Sequence, residues 1–172
     1  GHFGAQAKFS EAIAMYQKAA EIDPYFVMAW TMMGYYYFSL NDPDKGLEAY
    51  KRAVTARPDY AQAHDSLAEG YLKVGRLDES IQSYAKALEV DPSYYTSMPY
   101  LSYVYALTED FPQALRWIDN MISMAPPEFK IRAHLFKAFY LFFLGGAEKS
   151  LSCIRTATDL AEKEKSDYRY AA

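Results

Sequence analysis

Trp30-Thr31-Met32-Met33-Gly34-Tyr35-Tyr36-Tyr37, then Gly46-Leu47-Glu48-Ala49-Tyr50, closed by Pro58, is the stretch that decides the fold. Its pattern of large and small side chains recurs along the chain. Pro24, Pro58, Pro92 and Pro126 are spaced by 34 residues each. Proline lacks a backbone donor and biases its predecessor out of the α region, so each one ends a helix and opens the turn into the next. With the proline set at position 32 of the repeat, tyrosine recurs at position 11 as Tyr37, Tyr71 and Tyr105. Position 24 holds Tyr16, Tyr50, Tyr84 and Ile118. Small residues occupy position 8 (Gly34, Ala68, Ser102), position 20 (Ala12, Gly46, Ser80, Ala114) and, until Met121, position 27 (Ala19, Ala53, Ala87). Small residues let two helices approach closely, and the rings at 11 and 24 fill the space beside them. The sequence therefore predicts closely packed helices in pairs, a first (A) and a second (B), repeated along the chain.

The turn residues agree. Asp42-Pro43 supplies an N-cap followed by proline in the first helical position. Asp110-Phe111-Pro112 does the same one residue later. Gly75 and Gly145-Gly146 end A helices. Pro99 falls inside a nominal A helix, which predicts a shortened or kinked helix with Ser97 as its cap.

This pattern resembles the tetratricopeptide repeat, a helix–turn–helix unit of about 34 residues with a W-x₂-L-G-x₂-Y…A-x₃-F…P signature. Trp30-x-x-Met33-Gly34-x-x-Tyr37…Gly46-x-x-x-Tyr50…Pro58 matches it most fully. The resemblance implies an all-α fold, a right-handed superhelical solenoid of antiparallel helix pairs. Residues 1–24 then form an incomplete repeat with only a B helix, and Gly1-His2 reads as a tag remnant. Full repeats occupy 25–58, 59–92 and 93–126. A degenerate fourth occupies 127–165, with two extra residues expected around Gly145-Gly146. Residues 166–172 read as the opening of a further repeat. Neither end carries a polar cap of the kind that terminates solenoids, so the chain is expected to be a fragment of a longer protein.

In the resembling family, peptides lie on the concave surface formed by the A-helix faces turned away from the B helices. A helix turns about 100° per residue, so positions 4, 7, 8 and 11 face the B helices and 2, 5, 6, 9, 12 and 13 face away. Carried over by position, the concave residues are Met28, Thr31, Met32, Tyr35, Phe38 and Ser39 in the first full repeat. The second contributes Gln62, Asp65, Ser66, Glu69, Leu72 and Lys73, and the third Thr96, Pro99, Tyr100, Tyr103, Ala106 and Leu107.

The fourth repeat has two registers. Counting back from Gly145 places His134 and Lys137 in the core and the phenylalanines outside. Continuing the 34-residue count places Leu135, Phe136 and Phe139 inside. Because an unpaired buried lysine is costly, the second is the expectation, with Lys130, Ala133, His134, Lys137, Tyr140 and Leu141 concave and Arg132 left awkwardly at position 4. The candidate partner-binding set is therefore Met28, Thr31, Met32, Tyr35, Phe38, Asp65, Glu69, Tyr100, Tyr103, Lys130, His134 and Lys137. Tyr35, Phe38, Tyr100 and Tyr103 either contact a ligand or pack between A helices. Lys130, Lys137, Asp65 and Glu69 either meet a ligand or stand solvated. The carboxylate clamp by which some members grip a chaperone's C-terminal tail relies on asparagines and lysines of the A helices. Position 6 here holds Met32, Ser66 and Tyr100, which argues against that mode.

Composition narrows the function. The chain has 172 residues, a formal charge of −4 and 51% apolar residues, which suits a folded domain and not a polybasic nucleic-acid or membrane-surface binder. Cys153 is the single cysteine, so no internal disulfide or multi-cysteine metal site can form. The sequence carries no Gly-rich phosphate loop, CxxC, HExxH or G-x-S-x-G motif. His64 stands where the repeat wants a ring and reads as a core residue. The expected function is a non-catalytic protein-interaction scaffold, without cofactor or metal. Its partner is a protein or peptide, with neither nucleic acid nor membrane insertion, in the cytoplasm. Two alternatives stand beside it: a solenoid segment that self-associates through its exposed ends, and the regulatory or sensor region of a larger enzyme.

Overall fold

The computed structural model describes the backbone of residues 2–170 and the side chains of residues 6–165. Among the described residues there are nine α-helices and no strand. The chain divides into two units, Gly1–Pro92 and Ser93–Ala172.

The first unit comprises α1 (His2–Ile22), α2 (Val27–Ser39), α3 (Pro43–Ala56), α4 (Ala61–Lys73) and α5 (Leu77–Val90). α2 packs against α3 and α4 against α5. α1 packs on α2, with the Phe9 and Tyr16 rings 5.5 and 6.2 Å from that of Tyr36. Asp42 caps α3, its carboxylate accepting the Lys45 N–H at 3.2 Å with Pro43 in the first turn. The Tyr50 ring lies between α2 and α4. A Cβ built on Gly34 would stand 2.5 Å from one edge of that ring, and one built on Gly70 2.8 Å from the other. Glycine at both places lets three helices share one buried tyrosine. Position 4 shows a second equivalence. Trp30 Nε1–H donates to the Pro24 carbonyl at 2.9 Å, and His64 Nε2 lies 2.8 Å from the Pro58 carbonyl. A carbonyl only accepts, so His64 carries its proton on Nε2 and ties α4 to the preceding turn as Trp30 does for α2.

The second unit comprises α6 (Ser97–Leu107), α7 (Phe111–Met124), α8 (Pro127–Phe143) and α9 (Ala147–Tyr170). α6 is short, as Pro99 foretold, and Pro99 is its third residue. Ser97, expected as the cap, is the first helical residue instead, with Thr96 in the cap position. Residues 166–170 continue α9 without a turn, where a new helix was expected to open.

All four A-to-B turns share one left-handed residue. Asn41, Gly75, Glu109 and Gly145 have φ of 61°, 75°, 62° and 77°. In each turn the next residue donates its N–H to a carbonyl five residues earlier, at 2.8–2.9 Å, as from Asp42 to Tyr37 and from Gly146 to Leu141. The turn at Gly145-Gly146 is thus an ordinary one, and the two extra residues lie upstream. α8 absorbs them, being 17 residues long and starting directly after Pro126.

The register of α8 follows from a repeated serine bond. Ser80 Oγ donates to the Ala68 carbonyl at 2.9 Å, Ser102 Oγ to Ala114 at 2.8 Å and Ser150 Oγ to Ala138 at 2.7 Å. Each joins position 8 to position 20 of one pair, so Ala138 occupies position 8. That is two residues from the expected count, a rotation of about 200°. Leu135 and Phe139, expected inside, are 49% and 54% exposed, while Ala133, Ala138 and Tyr140 are buried. The objection to this register was a lysine buried without a partner. Lys137 has one: its ammonium lies 2.6 Å from Asp119 of α7, and 29% of its side chain stays exposed.

Candidate partner-binding site

The rotation of α8 turns a row of apolar side chains outward. Leu135, Phe139, Phe142 and Phe143 are all exposed. On α6, Tyr100, Tyr103 and Leu107 are exposed too, and they recur at the same helical spacing. Tyr103 of the α6 row and Leu135 and Phe139 of the α8 row line a cleft of about 350 Å³, together with Arg132, Phe136 and Tyr140. The floor is rigid. Tyr140 is wholly buried, ringed by Phe111, Phe136 and Phe139 at 6.4, 6.2 and 5.9 Å. Burial raises its phenol above the ordinary value, and its hydroxyl is buried without a hydrogen-bond partner among the described residues. Phe139 and Phe143 pack on each other at 4.7 Å and extend the wall. Arg132 is the only charged lining residue, its guanidinium 5.8 Å from the centre of the Tyr100 ring. Among the described residues no carboxylate pairs with it.

The candidate residues of the fourth repeat lie elsewhere. Lys130, His134 and Lys137 form a stripe along α8, and the Lys137–Asp119 pair ties that stripe to α7. His134 is half-buried, with Nδ1 buried and unbonded. Burial first, and then the charges of Lys137 and Lys130, hold its pKa below the usual histidine range. Lys137 instead borders a second cleft, of about 400 Å³, shared with Leu115, Asp119, Leu141, Lys149, Ser152 and Cys153. The single thiol is half-buried there.

In the first unit the candidates divide. Met28 and Thr31 line a cleft of about 370 Å³ with Tyr25, Phe26, Arg57, Tyr60 and Gln62. Thr31 is buried, its hydroxyl turned back to the Val27 carbonyl at 3.0 Å. Tyr35 is exposed and edge-on to Tyr36. Met32 is half-buried. Phe38 is a packing residue. It stacks on Tyr50 at 5.7 Å, carries the Lys73 ammonium over its face at 5.2 Å and fills the space a Cβ on Gly46 would need. Glu69 is taken up by Lys73 at 2.7 Å, and Asp65 is half-buried.

Tyr103 is the one candidate that lines the cleft between α6 and α8, and Tyr100 meets that lining through Arg132, whose guanidinium stands over its ring. Sequence reasoning missed Arg132, Leu135, Phe136 and Phe139 as lining residues. The signal was present in Gly145, whose spacing to Ala138 repeats that of Gly75 to Ala68. Among the described residues no helix is long and apolar enough to cross a membrane, and no group of His, Cys, Asp and Glu could hold a metal.

The family model of the tetratricopeptide repeat matches residues 2–61, 31–88 and 66–128. No curated protein matches the chain. Among solved structures, MamA is 21% identical over 94% of both chains, with a TM-score of 0.79. A double mutant of MamA from RS-1 is 14% identical over 94% of this chain and 90% of its own, with a TM-score of 0.76. YrrB, a TPR protein with an unusual peptide-binding site, is 16% identical over 91% of this chain and 80% of its own, with a TM-score of 0.69. At these identities the likeness is one of fold.

Proposed function

The chain belongs to the tetratricopeptide-repeat family, and from that premise we propose that it is a non-catalytic scaffold that captures a partner polypeptide in the apolar cleft between α6 and α8. One observation carries the reading: Leu135, Phe139, Phe142 and Phe143 stand exposed together on one side of α8. Leaving one such side chain in water forgoes about 1.5–3 kcal/mol of burial, and a contiguous apolar patch of this kind marks an interaction surface. The floor of close-packed rings supports the same reading, because a preformed site loses little entropy on binding. That YrrB has a peptide-binding site is in keeping with it.

The test is capture of partners from the source organism by the protein and by a Tyr103→Ala/Phe139→Ala variant. Both side chains are exposed, so the helical circular dichroism should be unchanged. The variant should lose the partners; retention of the same set would remove the cleft from the account.

A further inference from the structure

We infer that the occupant of the α6–α8 cleft is an acidic amphipathic helix, whose apolar stripe seats on the two aromatic rows and whose side-chain carboxylate reaches Arg132. This rests on the cleft reading proposed above and specifies the ligand's chemistry. The first argument is geometric. Tyr100, Tyr103 and Leu107 on α6, and Leu135, Phe139 and Phe142 on α8, repeat at three and four residues. Each row therefore runs along its helix axis for about 10 Å at 1.5 Å per residue. A furrow between two such rows accepts the ridge of a third helix, with anchors at i, i+3 or i+4, and i+7.

The second argument is electrostatic. The lining holds a single charge, that of Arg132, on a protein of net charge −4. Glu128, one turn earlier on α8, forms no ion pair with it. The guanidinium rests by the Tyr100 ring and keeps its hydrogen-bond donors for a carboxylate, which it can grip with two at once. An unpaired cation at the edge of an apolar wall selects an acidic partner and rejects a basic one.

The experiment titrates the whole chain with synthetic helical peptides by fluorescence anisotropy. The probe has leucines at i, i+3 and i+7 and a glutamate one turn beyond each end of the stripe. Controls replace the glutamates by lysines, scramble the leucines, or break the helix with a central proline. The glutamate peptide should bind, and Arg132→Glu should weaken it roughly tenfold. Arg132→Gln should fall between, and the lysine peptide should prefer Arg132→Glu to the native protein.

Equal binding of glutamate and lysine peptides to the native protein would overturn the acidic partner. Equal binding of the proline peptide would overturn the helix. In both cases, loss of binding on Phe139→Ala would leave the cleft reading standing. If Phe139→Ala binds as the native protein does, the cleft reading falls and takes this inference with it. Light scattering at rising concentration covers the remaining occupant: a dimer abolished by Phe139→Ala would make it a second copy of this chain and overturn the inference.

Discussion

Lys137 of α8 and Asp119 of α7 stand 2.6 Å apart, and their pairing accompanies the outward turn of the phenylalanines. Both side chains are partly exposed, at 29% and 52%. The pair does not hold the unit together, since such contacts contribute about 0.2–1 kcal/mol. Its effect is to remove the desolvation penalty that would otherwise weigh against this face of α8. A double-mutant cycle with Lys137→Met and Asp119→Ala should give a coupling below about 1 kcal/mol that shrinks in high salt. A coupling of several kcal/mol would place the pair in a dry interior that the structure lacks.

Gly34 tests the packing of the first unit. Its Cα faces the Tyr50 ring so closely that a methyl group would overlap it. Gly34→Ala should cost about 1–3 kcal/mol, seen as a lower midpoint in urea with an unchanged slope. Gly75 has open space around it, and there the penalty of Gly75→Ala comes from its φ of 75° alone.

Glu109 occupies the left-handed place that glycine takes in two of the other turns, with φ of 62°. That conformation costs a non-glycine residue about 1–2 kcal/mol, and glycine offsets part of the gain through its freer unfolded chain. Glu109→Gly should therefore stabilise the protein by about 0.5 kcal/mol in thermal or chemical unfolding. Glu109→Val should destabilise it.

His134 gives a dependence on pH. Its folded-state pKa lies below the ordinary value of 6.5, through burial first and the neighbouring lysines second. Between the two values the unfolded chain binds more protons, so stability rises with pH. The contribution is present at pH 7 and is lost as pH falls through 6.5 and below the folded value. Unfolding midpoints measured from pH 5 to 7.5 should fall less steeply on the acid side for His134→Gln than for the native protein. Parallel curves would contradict the account.

The repeat was legible because proline, glycine and small residues act locally. Pro24, Pro58 and Pro92 each end a helix wherever the chain goes next, and a ring such as Tyr50 finds its glycines at fixed offsets. The outward face of α8 was not legible, because it depended on a partner 18 residues away. A lysine opposite Asp119 and a lysine opposite a hydrocarbon wall look alike in sequence, though they differ by the whole desolvation term. The same limit applies to Phe38, whose counterpart on α8, Phe142, is exposed, while Phe38 is drawn down onto Tyr50 by the gap at Gly46.

The most direct test is photo-crosslinking from two positions of the second unit, in extracts of the source organism. A photoreactive phenylalanine analogue is placed at Phe139, in the cleft, or at Arg155, exposed on α9 and outside the cleft lining. The account predicts a discrete crosslinked partner from position 139 and none from position 155. Equal products from both positions, or products from position 155 alone, would contradict it.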